Sequence, residues 1–246
     1  MSGYACLISN EWFSAGLGFL FTLAALLLTL HVAFAIERVK RPVFSAIVEP
    51  NKISTWAFNP PRIDTVHLRL LVSNEPVLQT NHIFGRFGIT RNTAYHTRAI
   101  LTFRSLNGSH VFEEPYDAPI FGRWSGLPEP LTRMIIPLGN GKVKDLPLFD
   151  PTKMSLSEYQ VLTPGEGESE LLDIAARRME EPDAYVWSNN CYAEFARTGD
   201  SRDHNRTLRP GAYLVEIKIQ SGEAQQVFNF RLITGEDVFK LEPIDE

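Results

Sequence analysis

"GAYLVEIKIQSGEAQQVFNFRLI", residues 211–233, alternates apolar and polar side chains with a period of two on either side of a Ser-Gly-Glu-Ala turn. Tyr213, Val215, Ile217 and Ile219 fall on one face, against Glu216, Lys218 and Gln220 on the other; beyond the turn, Phe228, Phe230 and Leu232 share a face. Successive strand side chains point to opposite sides, so the pattern predicts a β-hairpin with one buried face. A two-stranded hairpin is marginal by itself and needs a second layer to cover its apolar side.

The same period recurs upstream. In "DTVHLRLLVSN", residues 64–74, Val66, Leu68, Leu70 and Val72 share a face and His67 and Arg69 lie opposite. In "TAYHTRAILTF", residues 93–103, Tyr95, Thr97, Ala99, Leu101 and Phe103 alternate with His96 and Arg98. "VFSAIVE", 43–49, reads as an edge strand. Residues 169–177 fit two patterns: a helix through Leu171, Ala175 and Met179, or a strand with Leu172, Ile174 and Ala176 on one face. The need for a partner strand in this interval favours the strand. Several half-buried strands separated by Gly, Pro and Asn predict an all-β antiparallel sandwich, with a long edge insertion around 105–165 whose later part holds six prolines between 126 and 165.

"VHLRLLVSNE", "NTAYHTRAILTF" and "LRPGAYLVEIKIQSGEAQQVFNFRLI" together resemble the strands of immunoglobulin-like modules of the CARDB or fibronectin type III kind. Leu208, Pro210, Gly211, Tyr213, Val215 and Ile217 fall on the recurring L-x-P-G-x-Y-x-V-x-I pattern. The insertion departs from that family's plan. The resemblance implies an immunoglobulin-like β-sandwich with a binding or spacer role, and it brings no catalytic residues with it.

The N-terminal part has a different character. From Phe13 to Ile36 no residue carries a formal charge, a run of roughly 36 Å as a helix at about 1.5 Å per residue. A hydrocarbon core of about 30 Å is spanned by that length with some tilt. Trp12 at one end and Arg38, Lys40 and Arg41 at the other suit the membrane interfaces. Two competing readings are a soluble core helix and a signal segment cut after Ala35, since Ala33-Phe34-Ala35 has small residues at the required spacing. No Lys or Arg precedes the run, unlike a secretory signal, and only Ser14, Thr22, Thr29 and His31 interrupt its apolarity, unlike an amphipathic helix. The expected organisation is therefore a tail (1–12), a transmembrane helix (13–36), a juxtamembrane tether with the first strand (37–62), and the sandwich (63–246). The cationic cluster after Ile36 predicts an outside N-terminus and a cytoplasmic domain.

Candidate functional residues follow from these two parts. Ser14, Gly18, Thr22, Ala25, Thr29 and Ala33 form a small-residue stripe on which a second helix could pack. Phe121, Trp124, Tyr185, Trp187 and Tyr192 crowd two short segments, as an aromatic interaction surface or as plugs of the core. No nucleophile, phosphate-binding or zinc motif is present, and Cys6 and Cys191 are too few for a disulfide framework. All 24 Lys and Arg follow Ile36 and are dispersed among acids, with a net charge of −5, so no basic patch for nucleic acid is predicted. The expectation is a single-pass, membrane-anchored, non-catalytic binding or assembly module without a cofactor. Its partners would be membrane lipid and another membrane protein or a second copy. The alternatives are a membrane-tethered enzyme with a loop-built site and an exported binding module.

Overall fold

The computed structural model describes residues 3–56, 63–127, 133–137, 143–147, 160–198 and 200–244. The start of the expected tail, the end of the expected tether and much of the excursion between 128 and 159 lie outside them. The chain forms two compact units, residues 1–41 with 76–91 and residues 42–75 with 92–246.

The first unit is built on α1 (Gly3–Lys40), which begins before and ends after the apolar run. From Phe13 to Lys40 it is long and apolar enough to cross a membrane. Among the described residues its large side chains from Phe13 to Phe34 are uncovered, with Phe21 70% and Phe34 69% exposed. Two short helices that the sequence pattern did not indicate, α2 (Val77–Thr80) and α3 (His82–Arg86), complete this unit. They meet at Gly85, where an added Cβ would come within 2.7 Å of the Leu78 Cα. The Arg91 guanidinium donates to the carbonyls of Val39 (2.8 Å) and Arg41 (2.6 Å), satisfying acceptors that the end of α1 leaves open.

The second unit is mostly β, in two antiparallel sheets. One sheet runs in the order β1 (Phe44–Val48), β3 (Ile63–Asn74), β9 (Ser169–Arg178), β10 (Ala184–Val186), β11 (Thr207–Leu208). Along its length β3 also pairs with β2 (Lys52–Trp56), so residues expected as tether continue the sheet edge past the break at Pro50. The other sheet runs β14 (Phe239–Pro243), β13 (Ala224–Thr234), β12 (Gly211–Ser221), β4 (Arg98–Ser105), β5 (Ile120–Phe121). β6 (Arg123–Trp124) joins the first sheet beside β9, and β7 (Arg133–Pro137) and β8 (Val143–Pro147) pair separately. The chain passes from the second sheet to the first at Gly122, where a Cβ would meet Leu172 Cδ1 at 2.8 Å.

The two sheets share one core. Leu68, Leu70 and Val72 of β3 and Leu172 and Ile174 of β9 pack with Leu101 of β4, Val215, Ile217 and Ile219 of β12, and Phe230 and Leu232 of β13. These are the apolar positions of the period-two patterns, and burial keeps that period in β4 and at Val215–Ile219 of β12, whereas β9 is buried at every residue from Leu172 to Ala176. The hairpin from β12 to β13 closes through Gly222-Glu223, with Gly222 in the left-handed region at φ +55°. Tyr95 departs from the expected face: it precedes β4 and is 65% exposed.

Residues 169–178 form a strand, with a correction to its facing. The register with β3 shifts between Leu68 and Arg69, which pair with Ala175 and Asp173 and leave Ile174 as the extra residue of a bulge. Leu172, Ile174 and Ala175 face the core between the sheets, while Ala176 joins a separate cluster with Tyr185, Trp187, Cys191 and Tyr192. An inserted residue moves everything beyond it to the other face, so Ala176 does not share the face of Leu172 and Ile174. The separate cluster includes residues of α4 (Asn189–Thr198), a helix the strand pattern did not anticipate.

At the start of β12 the Tyr213 hydroxyl donates to the Arg209 carbonyl at 2.7 Å. Tyr213→Phe removes that bond while keeping the ring, and should lower unfolding stability by about 1 kcal/mol, measured as a shift in the urea midpoint at unchanged slope.

Candidate functional site

The bulge in β9 places charged side chains in a row across three strands. Asp173 pairs in register with Arg69 of β3 on one side and with Arg123 of β6 on the other. The Arg69 and Arg123 Nε atoms each lie 3.8 Å from one of its carboxylate oxygens, and the Ser125 hydroxyl donates to Oδ1 at 2.8 Å. The carboxylate is buried at 5% exposure. Burial pushes Asp173 up to about 6, against the lowering effects of the Ser125 hydrogen bond and the Arg123 and Arg69 charges. Loss of solvent outweighs both arginines.

Arg123 is itself 2% exposed. Its guanidinium donates to Asn189 Oδ1 at 2.8 Å and to the Leu127 carbonyl at 3.2 Å, and it stacks 4.5 Å from the Tyr192 ring centroid. Among the described residues its Nε finds no hydrogen-bond partner. Next to this row, His67 meets Trp187 edge to face at 4.9 Å between centroids, and its Nε2 also lacks a hydrogen-bond partner among the described residues. Burial, with the Arg69 charge adding to it, holds His67 down to about 4, so the imidazole is neutral at pH 7. These groups, with Leu127, line a cleft of about 190 Å³. Chemically the cleft offers guanidinium donors, an orphan imidazole nitrogen, a carboxyl that ionises near neutrality, and an aromatic wall. That set suits recognition of a small polar or anionic group.

The aromatic residues singled out in the sequence divide between core and surface. Trp124, Tyr185, Trp187 and Tyr192 are buried at 5% exposure or less, and only Phe121, at 44%, reaches the surface. Trp124 belongs to the core between the sheets and its indole N–H donates to the Gln160 carbonyl at 3.2 Å. Tyr185, Trp187 and Tyr192 fill the cluster around Cys191, because the outer face of the first sheet needs its own apolar cover. Trp187 and Tyr192 still border the Asp173 cleft. Cys191 is sealed: its thiol contacts the Val186 carbonyl at 3.3 Å, and burial pushes it up to about 12.

The residues of the expected helix stripe lie along the exposed part of α1. Thr22 donates to the Gly18 carbonyl at 2.9 Å and Thr29 to the Ala25 carbonyl at 2.8 Å, so both hydroxyls are satisfied within α1. Ser14, Gly18, Ala25 and Ala33 lie exposed along the same helix, and nothing approaches Gly18 within 4 Å of an added Cβ. Of the expected interface residues, Trp12 lies in α1, Lys40 pairs with Glu37 at 3.8 Å, and Arg38 and Arg41 stand at the helix end. The acidic loop residues are claimed by arginines: Asp200 by Arg178 (2.7 Å) and Arg202 (2.5 Å), and Asp203 by Arg206 (3.1 Å). Among the described residues no group of three His, Cys, Asp or Glu could hold a metal ion. Comparison with protein-family models, curated proteins and solved structures finds no match to the chain.

Sequence reasoning noted Arg69 and His67 on the outer face of β3 but did not connect them with Asp173 or Arg123. The signal was present only as alternation, Leu172-Asp173-Ile174, and as a loop-like "RWSG" at 123–126.

Arg123→Met would leave Asp173 buried opposite Arg69 alone; a loss of about 3–5 kcal/mol in unfolding free energy is expected, read from urea titration. The pH dependence follows from two opposed groups. As pH falls from 6.5 towards 4, the unfolded chain takes up a proton on His67 that the folded protein refuses, which destabilises. As pH falls from about 6 towards 3.8, the folded protein binds a proton on Asp173 that the unfolded chain does not, which stabilises. His67→Gln should therefore gain stability relative to the parent on acidification through this window, and Asp173→Asn should lose it, as checked by urea midpoints at stepped pH.

Proposed function

We propose that the chain is a single-pass membrane protein, anchored by α1, whose β-rich unit is an immunoglobulin-like sandwich acting as a binding or assembly module. The carrying observation is α1 itself: from Phe13 to Phe34 every residue is exposed, and among the described residues only its last turns, beside segment 76–91, are half-buried. A helix apolar on all sides and left uncovered needs a hydrocarbon environment.

Strand order supports the immunoglobulin-like reading. Such domains place strands A, B and E in one sheet and C, F and G in the other. Here β1-β3-β9 stand in the order A-B-E, and β5-β4-β12-β13 in the order C′-C-F-G. The hydrogen bond from Tyr213 back to Arg209 corresponds to the tyrosine corner at the start of strand F in that fold. The additions, β10, β11 and α4 after strand E and β14 beyond strand G, extend both sheets. The charge step after Ile36 favours an outside N-terminus with residues 37–246 on the cytoplasmic side. The module's partners, on this reading, are a second transmembrane helix at the small-residue stripe and a polar group at the Asp173 cleft.

Alkaline carbonate should leave the full chain in the membrane pellet with its N-terminus at Met1 or Ser2. Recovery of a soluble chain starting at Ile36 would refute the anchor. Orientation requires an introduced reporter, because the buried thiol of Cys191 will not label in folded protein on either side. Asp237→Cys, in the exposed turn before β14, should resist a membrane-impermeant maleimide in intact cells and react after permeabilisation. Labelling in intact cells would reverse the orientation.

A further inference from the structure

The segment 76–91 leaves the β-rich unit after β3 and returns to it at Asn92, and in between it belongs to the same unit as α1 and meets that helix at its end. Its placement is fixed at two points. Arg91 holds the Val39 and Arg41 carbonyls, and Phe84 faces His31, Phe34 and Arg38 across a groove of about 420 Å³. Both contacts lie at the cationic end of α1, which in a spanning helix sits at the level of the lipid headgroups. At that level the segment leaves apolar side chains uncovered: Leu78 at 54%, Ile83 at 70% and Phe87 at 79% exposure. Ile83 and Phe87 are four residues apart and share a face. Arg86 between them is also exposed, and residues 76–91 contain no acid.

We infer that residues 76–91 are an interfacial membrane-binding element that inserts Ile83 and Phe87 into the headgroup and acyl boundary beside the span. The inference rests on α1 spanning the bilayer and goes beyond it by assigning a second, non-spanning contact with lipid. Aromatic and aliphatic tips flanked by arginine, with no carboxylate to repel anionic headgroups, are the chemistry of a peripheral anchor. Continuity with the span selects lipid as the occupant: Arg91 and Phe84 hold the segment where the bilayer surface begins.

Site-directed nitroxides on the full chain, with Cys6 replaced by Ser and reconstituted in phosphatidylcholine–phosphatidylglycerol vesicles, test this. Labels are placed singly at Ile83→Cys and Phe87→Cys, at Leu26→Cys within the span, and at Asp237→Cys as an aqueous reference; all four side chains are exposed. Relaxation by oxygen against relaxation by a water-soluble nickel chelate reports depth. The expected result is a depth at 83 and 87 between those at 26 and 237, with oxygen the better relaxant. If 26 reads deep while 83 and 87 read as aqueous as 237, the interfacial contact is overturned and the span stands. Shielding of 83 and 87 from both reagents means a protein covers them, which also overturns it. An aqueous reading at 26 removes the span, and this inference with it.

Discussion

The β-rich unit depends on a burial constraint at β9. This strand lies inside the first sheet, with β3 on one side and β6 and β10 on the other, and both of its faces are covered. Its inner face completes the core between the sheets through Leu172, Ile174 and Ala175, and its outer face meets the aromatic cluster through Ala176. A strict alternation could not serve both with these residues. The bulge at Ile174 resolves the conflict by adding one residue to β9 opposite β3, and the same irregularity brings Asp173 level with Arg69 and Arg123.

Much of the architecture was legible because half-buried strands write their burial into sequence. The hairpin at 211–233, the strand through Leu68 and Leu70, and the strand through Ala99 and Leu101 all bury the predicted face. Long uncharged runs are equally plain, which is why α1 could be recognised, although its helix extends beyond the charges at Glu37 and Arg38. Less legible was whatever depends on contacts distant in the chain. Arg69, Arg123 and Asp173 follow one another at intervals of about fifty residues, and only the pairing of three strands makes them neighbours. Whether the aromatic residues at 185–192 form a recognition surface or plug the core stayed open, because composition does not report which face of a sheet has a helix over it. α2 and α3 are too short to show a period, and Gly85, where they touch, resembles any loop glycine.

The Asp173 row also shows how a sheet can carry polar groups where a core would exclude them. Two arginines do not return the carboxyl to its ordinary range, since burial costs it more than their charges restore. Such an arrangement is not an economical way to stabilise a fold. What it presents is a set of directed polar groups, the Arg123 Nε–H donor and the His67 Nε2, beside Asn189, the Leu127 carbonyl and the rings of Tyr192 and Trp187. The polar part of the domain is thus built on strands and backed by aromatic rings rather than suspended on loops.

Cys191 carries a consequence of another kind. A thiol with no solvent contact and little tendency to ionise is a poor target for oxidants and for disulfide exchange. The β-rich unit is therefore indifferent to redox potential at this position, and would keep the same covalent state in a reducing or an oxidising compartment. The chemistry of this residue therefore imposes no choice between such compartments.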